Sequence, residues 1–77
     1  MISIWIPASV EPPTTWDSDG EGGRFRISAP ILALTTDRRQ EVCRFEIDEG
    51  DRRYWTTSSG EELDVTHWMF LPDPPAV

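Results

Sequence analysis

Apolar side chains alternate with charged ones between residues 41 and 48, and this alternation limits the fold more than any other feature of the sequence. Cys43, Phe45 and Ile47 alternate there with three charged residues. Successive side chains of a β-strand point to opposite faces, so a repeat of two predicts a strand with one dry face and one wet face. The chain has 77 residues, which is enough for one small domain, and we assign residues 1–77 to it.

Four other segments have the composition of strands, because they combine β-branched and aromatic residues and are bounded by turn residues or proline. They are residues 2–6, 31–36, 52–57 and 65–71. The link over 37–40 has hairpin length, and the first segment, closed by Pro7, is expected at an edge of the sheet. The sequence therefore predicts an all-β fold, a small antiparallel β-meander of four to five strands with at most a short helical turn.

The composition of two segments predicts irregular structure. Residues 12–27 contain two prolines, three glycines and several acids, which predicts a flexible, acidic, Gly-rich loop. The Pro-rich residues 72–77 predict an extended tail.

The charge of the chain limits its partners. Fourteen acidic side chains stand against seven arginines, with no lysine, so the formal charge is −7. Such a surface repels the phosphates of nucleic acid and the headgroups of anionic membranes. No apolar run approaches the roughly 18 residues of a membrane span, and the first residues lack the features of a signal peptide. We therefore expect a cytoplasmic protein whose partner is another protein, with no direct contact to nucleic acid or membrane.

No combination of residues predicts catalysis or a cofactor. Cys43 lies on the predicted apolar face, where a thiol behaves as a small hydrophobic group. His67 lies within a predicted strand, where a packing role is expected. The acidic run over 17–21 lacks the twelve-residue spacing of a calcium loop. We therefore expect no metal, no cofactor and no enzyme activity.

Acidic residues concentrate at the predicted turns and form the main candidate for a partner-binding surface. The candidate residues are Asp37, Glu41, Asp48, Glu49, Asp51, Glu61, Glu62 and Asp64. Consecutive turns of a meander lie at opposite ends of the sheet, which predicts two separate patches. Asp37 and Glu41 are expected at the same end as Glu61 and Glu62. The patches either steer the protein toward a basic partner or serve solubility alone.

The aromatic residues form a second candidate surface. Three tryptophans, with Tyr54 and two phenylalanines, are too many for one face of a small sheet, so some are expected to remain partly exposed. They either complete the core or anchor a partner, since Trp and Tyr are enriched at binding hot spots. Trp16, in the predicted loop, is the best candidate for an exposed anchor. A poorly protected edge strand leaves both a monomer and a homodimer open.

The C-terminal segment Thr66-His67-Trp68-Met69-Phe70-Leu71-Pro72-Asp73-Pro74-Pro75 resembles the signature of a phage and prophage family known as domain of unknown function 551. The usual form of that signature is Thr-His-Trp-Met-Pro-Leu-Pro-x-Pro-Pro. Trp5-Ile6-Pro7 and the strand over 31–34 also fall where that family has similar elements. Phe70 replaces a usual proline, and the stretch over 16–27 is longer and more acidic than is typical.

The resemblance implies no catalytic residue and places the chain in a phage context. Small phage proteins often disable host defence or nucleic-acid machinery, and an acidic one can occupy the basic surface where nucleic acid binds. The leading hypothesis is a non-enzymatic inhibitor of anti-CRISPR type that binds a host nucleic-acid-processing complex. The alternative is an accessory interaction module that uses exposed aromatic residues and prolines.

Overall fold

The fold consists of antiparallel β-strands throughout the described part of the chain. The structure is a computed structural model that describes residues 4–18 and 20–71. Its eight strands are β1 (Ile6–Pro7), β2 (Thr14–Ser18), β3 (Arg24–Ser28), β4 (Ile31–Thr35), β5 (Gln40–Ile47), β6 (Arg53–Thr56), β7 (Glu62–Leu63) and β8 (Val65–Phe70). The predicted all-β class is confirmed, with more strands than the four to five expected. Over the same residues, no helix has the length and apolarity that crossing a membrane requires.

Strand pairings, together with the chain link between β7 and β8, form a closed ring. The order along the sheet is β1-β8-β4-β5-β3-β2, and β6 pairs with both β5 and β7. Pairings join β4 to β5, β5 to β6 and β6 to β7, the chain continues from β7 through Asp64 into β8, and β8 pairs with β4. The predicted hairpins β4–β5 and β5–β6 are confirmed. The last strand differs from the predicted meander, because it returns to pair with β4.

The ring surrounds a small apolar core. Its buried residues are Ile31, Ala33, Cys43, Leu63 and Trp68, and the partly buried Ile6, Trp55 and Val65 pack against them. The indole N–H of Trp68 donates to the carbonyl of Val10 over 2.7 Å, which ties the N-terminal segment to β8. Cys43 is 2% exposed, so the predicted placement of this thiol in the core is confirmed.

β5 is shared by two sheets, one with β1, β4 and β8 and the other with β2, β3, β6 and β7, and this explains its strong alternation. Its first half pairs with β4, where Cys43 lies opposite Ile31. Its second half pairs with β3 and with β6. Cys43, Phe45 and Ile47 are all buried along its length. Because both halves need apolar residues on the same face, the repeat of two extends along the whole strand.

Ser28 is the last residue of β3 and lies at the junction of the two sheets, just before β4 begins. Residues 28–30 lie there opposite only two residues of β5, which is a bulge. The buried Ser28 hydroxyl accepts the backbone N–H of Phe45 over 2.9 Å and donates to the carbonyl of Ala29 over 2.9 Å. The side chain thus supplies a hydrogen-bond acceptor that the interrupted ladder does not provide.

Replacement of Ser28 by alanine should therefore leave the N–H of Phe45 buried and unsatisfied. An unsatisfied buried donor costs about 1–3 kcal/mol, and Ser28→Ala should lower the free energy of unfolding by that amount. The exposed Ser58 provides the control, since a substitution of this kind should change stability by less than about 0.5 kcal/mol. Chemical denaturation measures both variants. Equal stabilities would contradict the role assigned to Ser28.

The prediction of a loop over residues 12–27 was wrong. Two strands occupy most of it, and β2 pairs with β3 along five residue pairs, from Thr14 opposite Ser28 to Ser18 opposite Arg24. The sequence contained a signal for a strand here, because Phe25 and Ile27 alternate with arginines in β3. The glycines are explained by the connecting turn, where Gly20 has a φ of 85°.

The ends of the chain also differ from expectation or lie outside the described residues. β1 ends at Pro7 and lies at an end of the strand order, as predicted, but it covers only Ile6 and Pro7, and Pro7 itself lies opposite His67. The predicted start of that strand includes residues 2 and 3, and these lie outside the described residues. The predicted tail over 72–77 also lies outside them.

Three hairpin turns share one hydrogen-bond pattern. They run from Thr35 to Arg39, from Asp48 to Arg52 and from Thr57 to Glu61. In each turn a side-chain oxygen of the first residue accepts the backbone N–H of the fifth, and the carbonyl of the first accepts the N–H of the fourth. The fourth residue has a left-handed backbone, with a φ of 65° at Arg38, 62° at Asp51 and 88° at Gly60.

This shared conformation predicts opposite effects for two substitutions. A residue with a Cβ in a left-handed conformation costs about 1–2 kcal/mol, so Gly60→Ala should destabilise the protein by about that amount. No atom lies within 4 Å of the added Cβ, so the cost comes from the backbone alone. Arg38→Gly should raise the melting temperature, because glycine removes the same strain. Thermal unfolding tests both, and changes of the same sign would contradict the prediction.

Candidate partner-binding surface

Five of the predicted acidic residues line one surface concavity, which we call the acidic groove. It has a volume of about 240 Å³. Its lining consists of Thr35, Thr36, Asp37, Arg39, Glu41, Glu61, Glu62, Leu63 and Asp64. The structure thus brings together two turns that lie 20 or more residues apart in the sequence.

The pairing of β4 with β8 brings these two turns together. Thr35, at the end of β4, lies opposite Val65 at the start of β8. The backbone N–H of Thr36 then donates to the carbonyl of Asp64 over 3.0 Å. The β4–β5 turn therefore lies beside the segment that connects β7 with β8, and the acids of both segments face one concavity.

Within the groove, the carboxylates of the β4–β5 turn have partners. The Thr35 hydroxyl donates to the Asp37 carboxylate. The Arg39 guanidinium lies 3.8 Å from Asp37 and 3.7 Å from Glu41. The hydrogen bond from Thr35, followed by the positive charge of Arg39, holds the pKa of Asp37 below its ordinary value of 3.8. Arg39 is therefore the cationic partner of both Asp37 and Glu41.

Removal of the Thr35 hydroxyl should raise the pKa of Asp37 toward 3.8. Because the pKa is lower in the folded protein, the stability that Asp37 contributes is present above pH 3.8 and is lost as the pH falls through the lowered pKa. Thr35→Val is the variant, and NMR titration of the side-chain carboxyl measures the pKa directly. An unchanged pKa would show that Thr35 does not stabilise the charged form.

The other three acids of the groove have no cationic partner among the described residues. No ion pair joins Glu61, Glu62 or Asp64 to an arginine in this part of the structure. The groove therefore presents five carboxylates against the single guanidinium of Arg39. Within residues 4–18 and 20–71, no group of three or more acids, histidines or cysteines is placed to hold a metal ion.

The second predicted cluster, Asp48, Glu49 and Asp51, differs because its carboxylates bind within the protein. Asp48 accepts the backbone N–H groups of Gly50 and Arg52, and its carboxylate lies 3.3 Å from the Arg52 guanidinium. Glu49 accepts the backbone N–H of Arg24 over 2.7 Å. Asp51 pairs with Arg53 over 3.3 Å. These acids stabilise the β5–β6 turn and the neighbouring hairpin.

The two clusters lie at opposite ends of β5. The acidic groove contains the β4–β5 turn, which precedes this strand, and the second cluster follows it. Eight residues of strand separate them by about 25 Å. A sequence pattern shows only that both clusters are acidic. The two clusters differ in the partners of their carboxylates, and these partners depend on where Arg24, Arg39 and Arg53 lie in the folded protein.

Trp16 lies on the β2–β3 hairpin and is 63% exposed. Two arginines of β3 approach its ring, with the guanidinium carbon of Arg24 at 5.0 Å and that of Arg26 at 5.6 Å from the ring centre. These distances fit cation–π contacts. Neither arginine was predicted as part of this surface, although their spacing of two residues is the signal of a shared strand face.

The thiol of Cys43 is not available for chemistry at neutral pH. Burial, followed by the negative charge of Glu41, raises its pKa from 9.0 to about 11. A thiol must lose its proton to act as a nucleophile or as a metal ligand. Cys43 therefore remains a neutral core residue near pH 7.

The structure defines a small all-β domain with an acidic groove at one end of its strand ring. The chain matches the family model described as "Protein of unknown function (DUF551)" over residues 28–76, and it belongs to this family. Neither the curated proteins nor the solved structures provide a match. The matched residues include every acid of the acidic groove, whereas Trp16 and the two arginines beside it precede them.

Proposed function

We propose that this protein is a non-enzymatic binding protein whose acidic groove docks on a basic surface of a host protein. In the narrowest form of the proposal, the partner belongs to a nucleic-acid-processing complex of the host bacterial cytoplasm. The protein would then occupy the site of the nucleic acid and inhibit the complex, as an anti-CRISPR protein does. The phage context of this form comes from the resemblance of the C-terminal segment.

The observation that carries the proposal is the lack of cationic partners for Glu61, Glu62 and Asp64 among the described residues. Like charges held close together repel each other, and nearby cations of a partner would relieve that repulsion. The second cluster is a weaker candidate for binding a partner, because its carboxylates already bind arginines and backbone N–H groups.

The position of the groove also suits a docking role. Its acids are carried by two turns whose backbones are fixed by hydrogen bonds and are joined through Thr36 and Asp64. A partner would meet carboxylates on a surface that is already ordered, so binding would not have to order a loop. The net charge of −7 adds long-range attraction toward a basic surface.

A non-enzymatic role agrees with the chemistry of the described residues. The protein has one thiol, and its raised pKa keeps it protonated at neutral pH. The carboxylates of the groove lie on an open surface, where water screens them and where a reacting group would not be enclosed. Charge recognition of another surface requires neither a nucleophile nor a metal.

The exposed rings of Trp16 and Phe70 favour a second candidate function. These side chains are 63% and 58% exposed, and large aromatic rings are typical anchors of protein interfaces. In this alternative the protein is an accessory interaction module, and its acidity serves solubility. Salt distinguishes the two functions, because screening within about 10 Å at 0.1 M weakens an electrostatic interface more than an aromatic one.

Charge reversal on the two acidic clusters tests the leading proposal with a matched control. The groove variant carries Glu61→Lys, Glu62→Lys and Asp64→Lys. The control variant carries Glu49→Lys and Asp51→Lys in the second cluster, together with Glu46→Lys on the neighbouring part of β5. Each reversal changes the charge by two units, so both variants have the same net charge. Thermal unfolding confirms that both proteins are folded before binding is measured.

The binding experiment uses nuclease-treated lysate of a CRISPR-bearing bacterium, with wild-type and variant proteins immobilised and the captured proteins identified by mass spectrometry. We expect wild type and control to capture the same nucleic-acid-processing complex and to release it at high salt. The groove variant should lose that complex. Retention by the groove variant, or loss from both variants alike, would contradict a specific role for the groove.

A further inference from the structure

The outer edge of β2 has no partner strand in the part of the chain that the structure describes. β2 is the last strand in the order and pairs there with β3 alone. Its five residues include no proline and one charged residue, Asp17, and its pairing with β3 contains no bulge. Prolines, charged side chains and bulges protect natural edge strands from pairing with another chain, so the single charge of Asp17 is the only such feature within β2. β1, at the opposite end, is two residues long and includes Pro7.

We propose that β2 pairs with β2 of a second copy of this chain and forms a homodimer. The two strands run antiparallel about a two-fold axis at Trp16, so that the sheet continues from one copy into the other. In this register Trp16 lies opposite Trp16 of the partner subunit, and Asp17 lies opposite the partner's Thr15. No two like charges lie directly opposite each other, which removes a common penalty of strand pairing.

The ring of Trp16 gives this register its main contact. Trp16 and Arg26 are opposite each other in the β2–β3 pair, so their side chains share a face of the sheet. The two-fold axis extends this row across four strands, as arginine, tryptophan, tryptophan and arginine. Aromatic pairs across strands are stabilising, and the guanidinium of Arg26 already lies 5.6 Å from the ring centre. Pairing would bury two rings that are 63% exposed in the single copy.

The charge distribution explains why a second copy can approach at this edge. Residues 14–28 contain three carboxylates and two arginines, a net charge of −1, whereas the whole chain carries −7. Most of the negative charge therefore lies outside the hairpin. Two copies that meet at β2 bring together hairpins of low net charge and keep both acidic grooves outside the strand pairing.

Sedimentation equilibrium at several protein concentrations tests the dimer. Trp16→Glu places two carboxylates opposite each other at the axis, so this variant should remain a monomer where wild type is a dimer. Phe70→Glu is the control, because Phe70 is a similarly exposed ring that lies outside β2, and this variant should dimerise like wild type. A wild type that is monomeric at every concentration, or a Trp16→Glu variant that still dimerises, would overturn the proposal.

Disulfide formation tests the register while Trp16 remains in place. A mixture of Thr15→Cys and Asp17→Cys proteins should oxidise to a mixed disulfide, because these positions lie opposite each other across the axis. Each variant alone should oxidise more slowly, and the buried Cys43 should not compete. Equal rates in the mixture and in the single variants would contradict the register.

Salt separates this inference from the proposed function. The dimer should strengthen as salt rises, because screening reduces the repulsion between two acidic copies. Binding through the acidic groove should weaken under the same conditions. The groove variant should still dimerise, so either proposal can fail without the other. A dimer that dissociates as salt rises would contradict the pairing proposed here.

Discussion

The pairing of β4 with β8 is the interaction on which the rest of this structure depends. It closes the ring of strands and buries Ala33 completely between its two neighbours, Trp68 on β8 and Glu41 on β5. A small side chain opposite the largest ring in the core leaves room for that ring. The same pairing sets the β4–β5 turn beside Asp64, so it forms the core and the acidic groove together.

Simple residue patterns predicted four strands of the family-matched region, β4, β5, β6 and β8, but not the two-residue β7. The alternation through Cys43 and Ile47 identified β5, and the hairpins on either side followed from turn composition. The return of β8 to β4 could not be predicted, since nothing in a strand's own residues identifies its partner. The hairpin of β2 and β3 was missed because its glycines indicated a loop, although Phe25 and Ile27 carried a weak strand signal.

The candidate surface shows the same division between pattern and geometry. Sequence position identified all the acids, including Glu61 and Asp64, and separated them into two patches. It could not show that Asp48 and Asp51 bind arginines while Glu61 and Asp64 have none among the described residues. Those pairings depend on where the arginines lie after folding. The charge that is free to bind a partner is therefore smaller and more localised than the composition suggests.

We propose that the acidic groove is the surface that recognises a basic partner. NMR titration of the folded protein with an arginine-rich peptide tests it most directly, since every backbone amide reports its own environment. We predict saturable shifts centred on residues 36–41 and 61–64 that disappear at high salt. Shifts centred on residues 48–51 or on the Trp16 hairpin, or shifts of equal size over the whole surface, would contradict the account.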